Sequence, residues 1–145
     1  MSIARICQRN VDTDESFESV RAAAQSMSTR SVSRLLVLVT QRRPTGLITD
    51  RDIALCCSSE GCNPAVSTVI EVMTPSPRVV SGMSSVEDAL TAMRIRGMRY
   101  LPVVNPLGEL VGVVSLDYAL VLLAEELWQM GPVIQRSSPA ILATY

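Results

Sequence analysis

The stretch Gly46–Asp52, "GLITDRD", has a near twin at Gly112–Tyr118, "GVVSLDY". Each copy runs from a glycine through two aliphatic residues to a hydroxyl and then into a helix-forming segment. Ser115 stands 66 residues after Thr49, and sliding the chain by that distance aligns residues 4–55 with 70–121 without a gap. Ser19 then meets Ser85, Val20 meets Val86, Ala23 meets Ala89, Met27 meets Met93, Arg30 meets Arg96, Leu35 meets Leu101, Val37 meets Val103 and Gly46 meets Gly112. Because the matches gather on apolar positions, with Ile6 against Val72 and Ile48 against Val114 as conservative pairs, they mark a duplicated supersecondary unit. The copies agree on the hydroxyl and disagree three residues later, where Asp52 faces Tyr118.

Both units carry the same signals. "DESFESVRAAAQSM" spaces Phe17, Val20, Ala23, Ala24 and Met27 along one helical face, and "SSVEDALTAM" does the same with Val86, Ala89, Leu90 and Met93. The β-branched runs "RLLVLVT" and "YLPVVN" follow, then the turns "QRRP" and "PLGE", then "TGLIT" and "ELVGVVS", which reads as one hairpin per unit. A second helix is expected from Asp50 to about Cys57 and, in the later copy, from Leu116 to about Met130. The Gly, Pro and Ser-rich "SSEGCNPAVS" joins the units. The expected organisation is a first repeat over 1–60, a second over 61–128 and a tail over 129–145. A β-α-β-β-α unit of this size buries too little surface alone. The fold class is therefore α/β in composition (α+β), two units packed about a pseudo-twofold axis with two related clefts between them.

Composition narrows the functions. The chain has 145 residues, is 48% hydrophobic and 19% charged, and carries a net charge of −1. That balance gives no general attraction to nucleic acid or an anionic membrane. All 13 basic residues are arginine, and histidine is absent. Imidazole bases, Schiff-base lysines and Walker-type lysines are thereby excluded, which argues against an enzyme, although carboxylates and thiols remain. Cys7, Cys56, Cys57 and Cys62 contain no C-x-x-C spacing, so no metal site is expected. Cys56 and Cys57 are expected as thiols in a reducing cytosol. No apolar h-region opens the chain and no run reaches membrane-spanning length, so the expected location is cytoplasmic.

A strand ending in Thr or Ser at a helix start places a hydroxyl beside free backbone N–H groups, where anions are favoured. A carboxylate one turn later suits a vicinal diol such as ribose. Thr49 and Asp52 meet that description, with Arg51 as a phosphate partner. The same Thr-x-x-acid spacing is also that of a capping box, and a hydroxyl cap accounts for Ser115 equally well.

The whole pattern, with "VMTPSP", "MRYLPVVN" and "GELVGVVS" in the second copy, resembles the CBS (cystathionine β-synthase) domain family, in the form of a stand-alone tandem pair over residues 4–125. The resemblance implies binding of an adenosine-containing ligand (AMP, ADP, ATP, NAD or S-adenosylmethionine) in the clefts, as a regulatory signal without any required cofactor. It assigns phosphate contact to Thr49 and ribose contact to Asp52, and by analogy brings Arg9, Asn10, Val11, Ser33 and Arg34 to the cleft that carries Asp52. Ser115 keeps its role in the second copy, while Tyr118 leaves that cleft weakened, empty, filled by the tyrosine, or offering a ring to a base. Arg99, in a cluster with Arg94 and Arg96, is placed to meet phosphates or to lie on a solvated surface. The implied assembly is a homodimer acting on an unknown regulated protein, with nucleic acid and membrane excluded. The competing reading is an association module whose nucleotide sites have degenerated.

Overall fold

A computed structural model describes residues 2–59 and 61–137. The order is α1 (Ile3–Ile6), β1 (Thr13–Glu15), α2 (Val20–Arg30), β2 (Arg34–Val39), β3 (Arg43–Thr49), α3 (Asp50–Ser58), α4 (Val69–Val72), β4 (Thr74–Pro75), β5 (Val80–Ser81), α5 (Val86–Arg96), β6 (Tyr100–Val104), β7 (Leu110–Ser115) and α6 (Leu116–Ser137). One sheet runs β1-β2-β3-β4 and the other β5-β6-β7. In each, a short strand lies parallel to the first strand of an antiparallel hairpin. Both hairpins slip register at equivalent places, Val37/Leu38 and Val103/Val104.

The duplication is visible in the cores. One contains Ala23, Met27, Leu35, Val37, Ile48, Val69 and Met73; the other contains Ala89, Met93, Leu101, Val103, Val114, Ile3 and Cys7. Every member of one stands 66 positions from its counterpart in the other. The last two of each set belong to the opposite repeat. Thus α1 and Cys7 complete the second repeat's core, and α4 and Met73 complete the first's, so the repeats exchange their leading segments. Backbone pairing follows the same exchange: Leu47 pairs with Thr74 on one side, and Val113 with Gln8 on the other.

The repeated glycines sit under these exchanged segments. A Cβ on Gly112 would lie 2.5 Å from the Gln8 carbonyl oxygen and 2.9 Å from Cys7 Sγ. One on Gly46 would overlap the Met73 thioether. At Gly112, where the obstacle is backbone, only glycine lets the leading segment approach so closely.

Three sequence expectations are corrected. Phe17 fits the helical spacing but precedes the N-cap Ser19, whose side chain accepts from the Ala22 N–H, and it is 81% exposed. The last helix continues through Pro132 to Ser137, beyond the Met130 end and into the tail expected from 129. A proline deletes one rung of the helical ladder, and here that does not stop the helix. Finally, Cys56 is not a free thiol: it is disulfide-bonded to Cys62. The remainder of the expected tail lies outside the described residues. Among the described residues no helix is long and apolar enough to cross a membrane.

Candidate functional site

Thr49 ends β3 and caps α3. Its Oγ1 accepts from the Asp52 N–H at 3.3 Å, while the Thr49 N–H and hydroxyl donate to Asp52 Oδ2 at 2.9 and 3.0 Å. The capping box is therefore formed, and it engages one carboxylate oxygen of Asp52, leaving Oδ1 outside the box. Thr49 and Asp52 are half-buried and Arg51 is exposed. In the second copy Ser115 Oγ accepts from the Tyr118 N–H at 3.2 Å, and with no carboxylate at that position the reciprocal half of the box is missing.

A cavity of about 330 Å³ opens between the repeats. From the first repeat it is lined by Asn10, Val11, Asp12, Ser33 and Arg34, and from the second by Tyr100, Val113 and Ser115. The residues expected around Asp52 thus divide: Asn10, Val11, Ser33 and Arg34 gather on the cleft of Ser115, and neither Thr49 nor Asp52 lines it. The exchange of leading segments is the reason, since Gln8 pairs with Val113 on the second repeat's sheet and carries Asn10 and Val11 with it. Arg9 is exposed and not part of the lining. Arg34 is also the cross-strand partner of Thr49.

Tyr100 and Asp12 are lining residues that the sequence reading missed. The repeat could have supplied the first, since Tyr100 is the counterpart of Arg34 under the same offset. The two meet between the repeats, with the Arg34 guanidinium 5.3 Å from the centre of the Tyr100 ring. Burial pushes the Tyr100 hydroxyl up to about 12, against the lowering effect of Arg34 and with a further small rise from Asp12. Asp12 is also within 3.9 Å of Arg30.

Arg99 donates to Asp117 and forms an exposed ion pair across the start of α6. Arg96 lines a separate opening of about 660 Å³ with Ser76, Pro77 and Arg78, while Arg94 is exposed. Among the described residues no group of three His, Cys, Asp or Glu side chains is placed to hold a metal ion.

Two β-α-β-β-α repeats with exchanged leading segments, and a cavity at their junction, define a tandem-repeat α+β architecture. The CBS domain pattern matches residues 3–58 and 69–125, and the chain belongs to that family. It is 34% identical over 114 residues to an uncharacterized 17.7 kDa protein of Acidianus ambivalens, covering 78% of this chain and 68% of that one. It is 31% identical over 98 residues to Hypoxic response protein 1 of Mycobacterium tuberculosis, covering 68% of each. An uncharacterized protein of Methanopyrus kandleri is 26% identical over 117 residues, 81% of this chain but only 60% of that longer protein. Among solved structures, CBSX2 in complex with AMP superposes with a TM-score of 0.74 at 23% identity, over 86% of this chain and 96% of that one. The CBS domain pair of protein MJ0100, in complex with 5'-methylthioadenosine and S-adenosyl-L-methionine, gives 0.71 at 21% identity, over 87% and 98%.

Proposed function

We propose that this chain is a regulatory module that binds an adenosine-containing ligand between its repeats and transmits the occupied state to a partner protein. The observation that carries this reading is the cavity shared by Asn10, Val11, Ser33 and Arg34 of one repeat with Tyr100 and Ser115 of the other. Its volume falls in the range of small-molecule sites. Val11, Val113 and the Tyr100 ring offer an apolar, stacking surface for a base, and Arg34 and Ser115 offer donors to phosphate. The ligands named in the solved relatives, AMP on one side and S-adenosyl-L-methionine with 5'-methylthioadenosine on the other, set the panel to test. No chemical step enters this reading.

The missing acid at Tyr118 has a replacement in the same cleft. Asp12 lines the Ser115 cavity, whereas its counterpart under the repeat is Arg78. In this reading each cleft keeps one carboxylate for the ribose hydroxyls, Asp52 through Oδ1 in one and Asp12 in the other. The apolar surface of α6, with Leu120, Leu123, Leu127, Trp128 and Met130 exposed, is where a twofold dimer closes.

The competing reading, an association module without ligand, is favoured by the formed capping box of Thr49 and by the Arg99–Asp117 pair, both of which occupy expected ligand groups. A thermal-shift panel of AMP, ADP, ATP, NAD, S-adenosylmethionine and 5'-methylthioadenosine separates the two. A ligand at 100 times its dissociation constant adds about 2.7 kcal/mol, or roughly 5–10 °C for a chain of this size. Flat curves across the panel favour the association module.

A further inference from the structure

The cysteines outside the clefts carry an inference that does not depend on nucleotide binding. The Cys56–Cys62 disulfide, with its Cα atoms 5.3 Å apart, joins the last turn of α3 to the connection between the repeats. That connection is structural. The Arg21 N–H donates to the Pro64 carbonyl at 2.8 Å and the Val20 N–H to the Ser67 carbonyl at 3.0 Å, so it satisfies the first donors of α2. It then enters α4, whose Val69 and Ile70 N–H groups donate to Glu18 and Ser16. Just beyond α4, Met73 covers Gly46, three residues before Thr49. At its other end the disulfide holds the helix that Thr49 and Asp52 begin. One covalent link therefore ties α3, the start of α2 and the segment that crosses between repeats.

The two cysteines are not equally exposed. Cys56 is 4% exposed, whereas Cys62 is half-buried in the connection. We propose that Cys62 is the attack point of a thiol–disulfide exchange site, at which a reducing dithiol opens the connection and loosens α3 and the start of α2. A thiolate of the dithiol attacks Cys62 Sγ, the Cys56–Cys62 bond breaks, and Cys56 leaves as a thiolate that takes up a proton. The second thiolate of the reductant then attacks its own sulfur in the mixed disulfide, which releases Cys62 as a thiol. Two electrons and two protons pass to Cys56 and Cys62, and the reductant departs as a disulfide. Cys57, exposed and outside the bond, reports on both states, while Cys7 is buried.

The full chain is labelled under native conditions with iodoacetamide before and after dithiothreitol, and hydrogen exchange is followed by mass spectrometry in both states. Rapid labelling is expected at Cys57 alone before reduction, and at Cys57 and Cys62 after it. Amides of residues 20–24 and 52–58 exchange about tenfold faster once reduced, while those of 86–90 in α5, which the disulfide does not hold, do not change. Cys62→Ser reproduces the faster exchange without reductant, and Cys57→Ser leaves it unchanged. If Cys62→Ser fails to fold, the reduced and alkylated natural chain gives the same comparison. Rapid labelling of Cys62 without reductant, or equal exchange at 20–24 and 52–58 in the two states, overturns the proposal. Neither readout involves a nucleotide, so its failure is distinct from failure of the ligand reading.

Discussion

Replacing Gly112 by alanine places a methyl group 2.5 Å from the Gln8 carbonyl oxygen and 2.9 Å from Cys7 Sγ. The clash is mainly with backbone, so relief requires the leading segment to move. Two hydrogen bonds go with it, the Gln8 N–H to the Val113 carbonyl at 2.8 Å and the Val113 N–H to the Gln8 carbonyl at 2.9 Å. At about 1 kcal/mol net for each bond, plus about 1 kcal/mol or more for overpacking, the substitution costs about 2–4 kcal/mol. With an unfolding entropy of roughly 0.3 kcal/mol/K for a chain of this size, Tm falls by about 7–13 °C. The symmetric Gly46→Ala meets the flexible Met73 side chain instead of a carbonyl, and it costs less than about 2 kcal/mol. On a Met73→Ala background it becomes nearly neutral, because the truncated side chain leaves room for the new methyl group. Thermal and urea unfolding of the four variants measures all of this. Equal, small shifts for the two glycine variants, or a larger loss for Gly46→Ala, would refute the argument that each glycine exists to admit the other repeat's leading segment.

Other predictions follow from the same contacts. Tyr100 holds its proton up to about 12, so its contribution is complete below its unfolded value near 10 and is lost as pH rises from about 10 to 12. Absorbance titration should show one late tyrosine that Tyr100→Phe removes. Asp88 is held below the usual carboxylate value by hydrogen bonds from the Ser85 side chain and backbone. Its cap on α5 is therefore present above about pH 4 and lost as pH falls through its lowered value, and Asp88→Asn should blunt that acid sensitivity in pH-dependent unfolding. Leu127→Glu, on the exposed face of α6, should shift a dimer toward monomer in sedimentation velocity without altering the circular dichroism of the fold. Asp12→Asn should weaken nucleotide binding by about tenfold if its carboxylate holds ribose hydroxyls, a loss of about 1.4 kcal/mol, and unchanged affinity would remove Asp12 from the site.

Much of this fold can be read in the sequence because the repeat is written at its core positions. Ala23, Met27, Leu35 and Val37 are identical to their counterparts in the second copy, and all eight residues are buried in one core or the other. The hairpins and the Thr49 and Ser115 caps were likewise legible, since caps and turns depend on a few adjacent residues. The exchange of leading segments was not. An alignment of the two copies is the same whether each segment packs on its own repeat or on the other one, and that ambiguity is why Asn10 and Val11, expected beside Asp52, line the Ser115 cavity instead. Periodicity also misled at Phe17, which keeps helical spacing two residues before the cap that starts the helix. The Cys56–Cys62 pairing escaped because proximity within a turn and a connection depends on where the connection folds back. At Thr49 and Asp52 the spacing reads as a capping box, and the box is formed through Oδ2.

Calorimetric titration of the unmodified protein with each adenosine-containing compound, repeated with Ser115→Ala and with Asp52→Ala, tests the central claim most directly. The account predicts saturable binding of at least one compound, with the affinity of one cleft lost in each variant and the fold retained. Absence of binding heat and of any thermal shift for every compound at millimolar concentration would contradict it. Binding that neither variant weakens would place the ligand somewhere other than the junction of the two repeats.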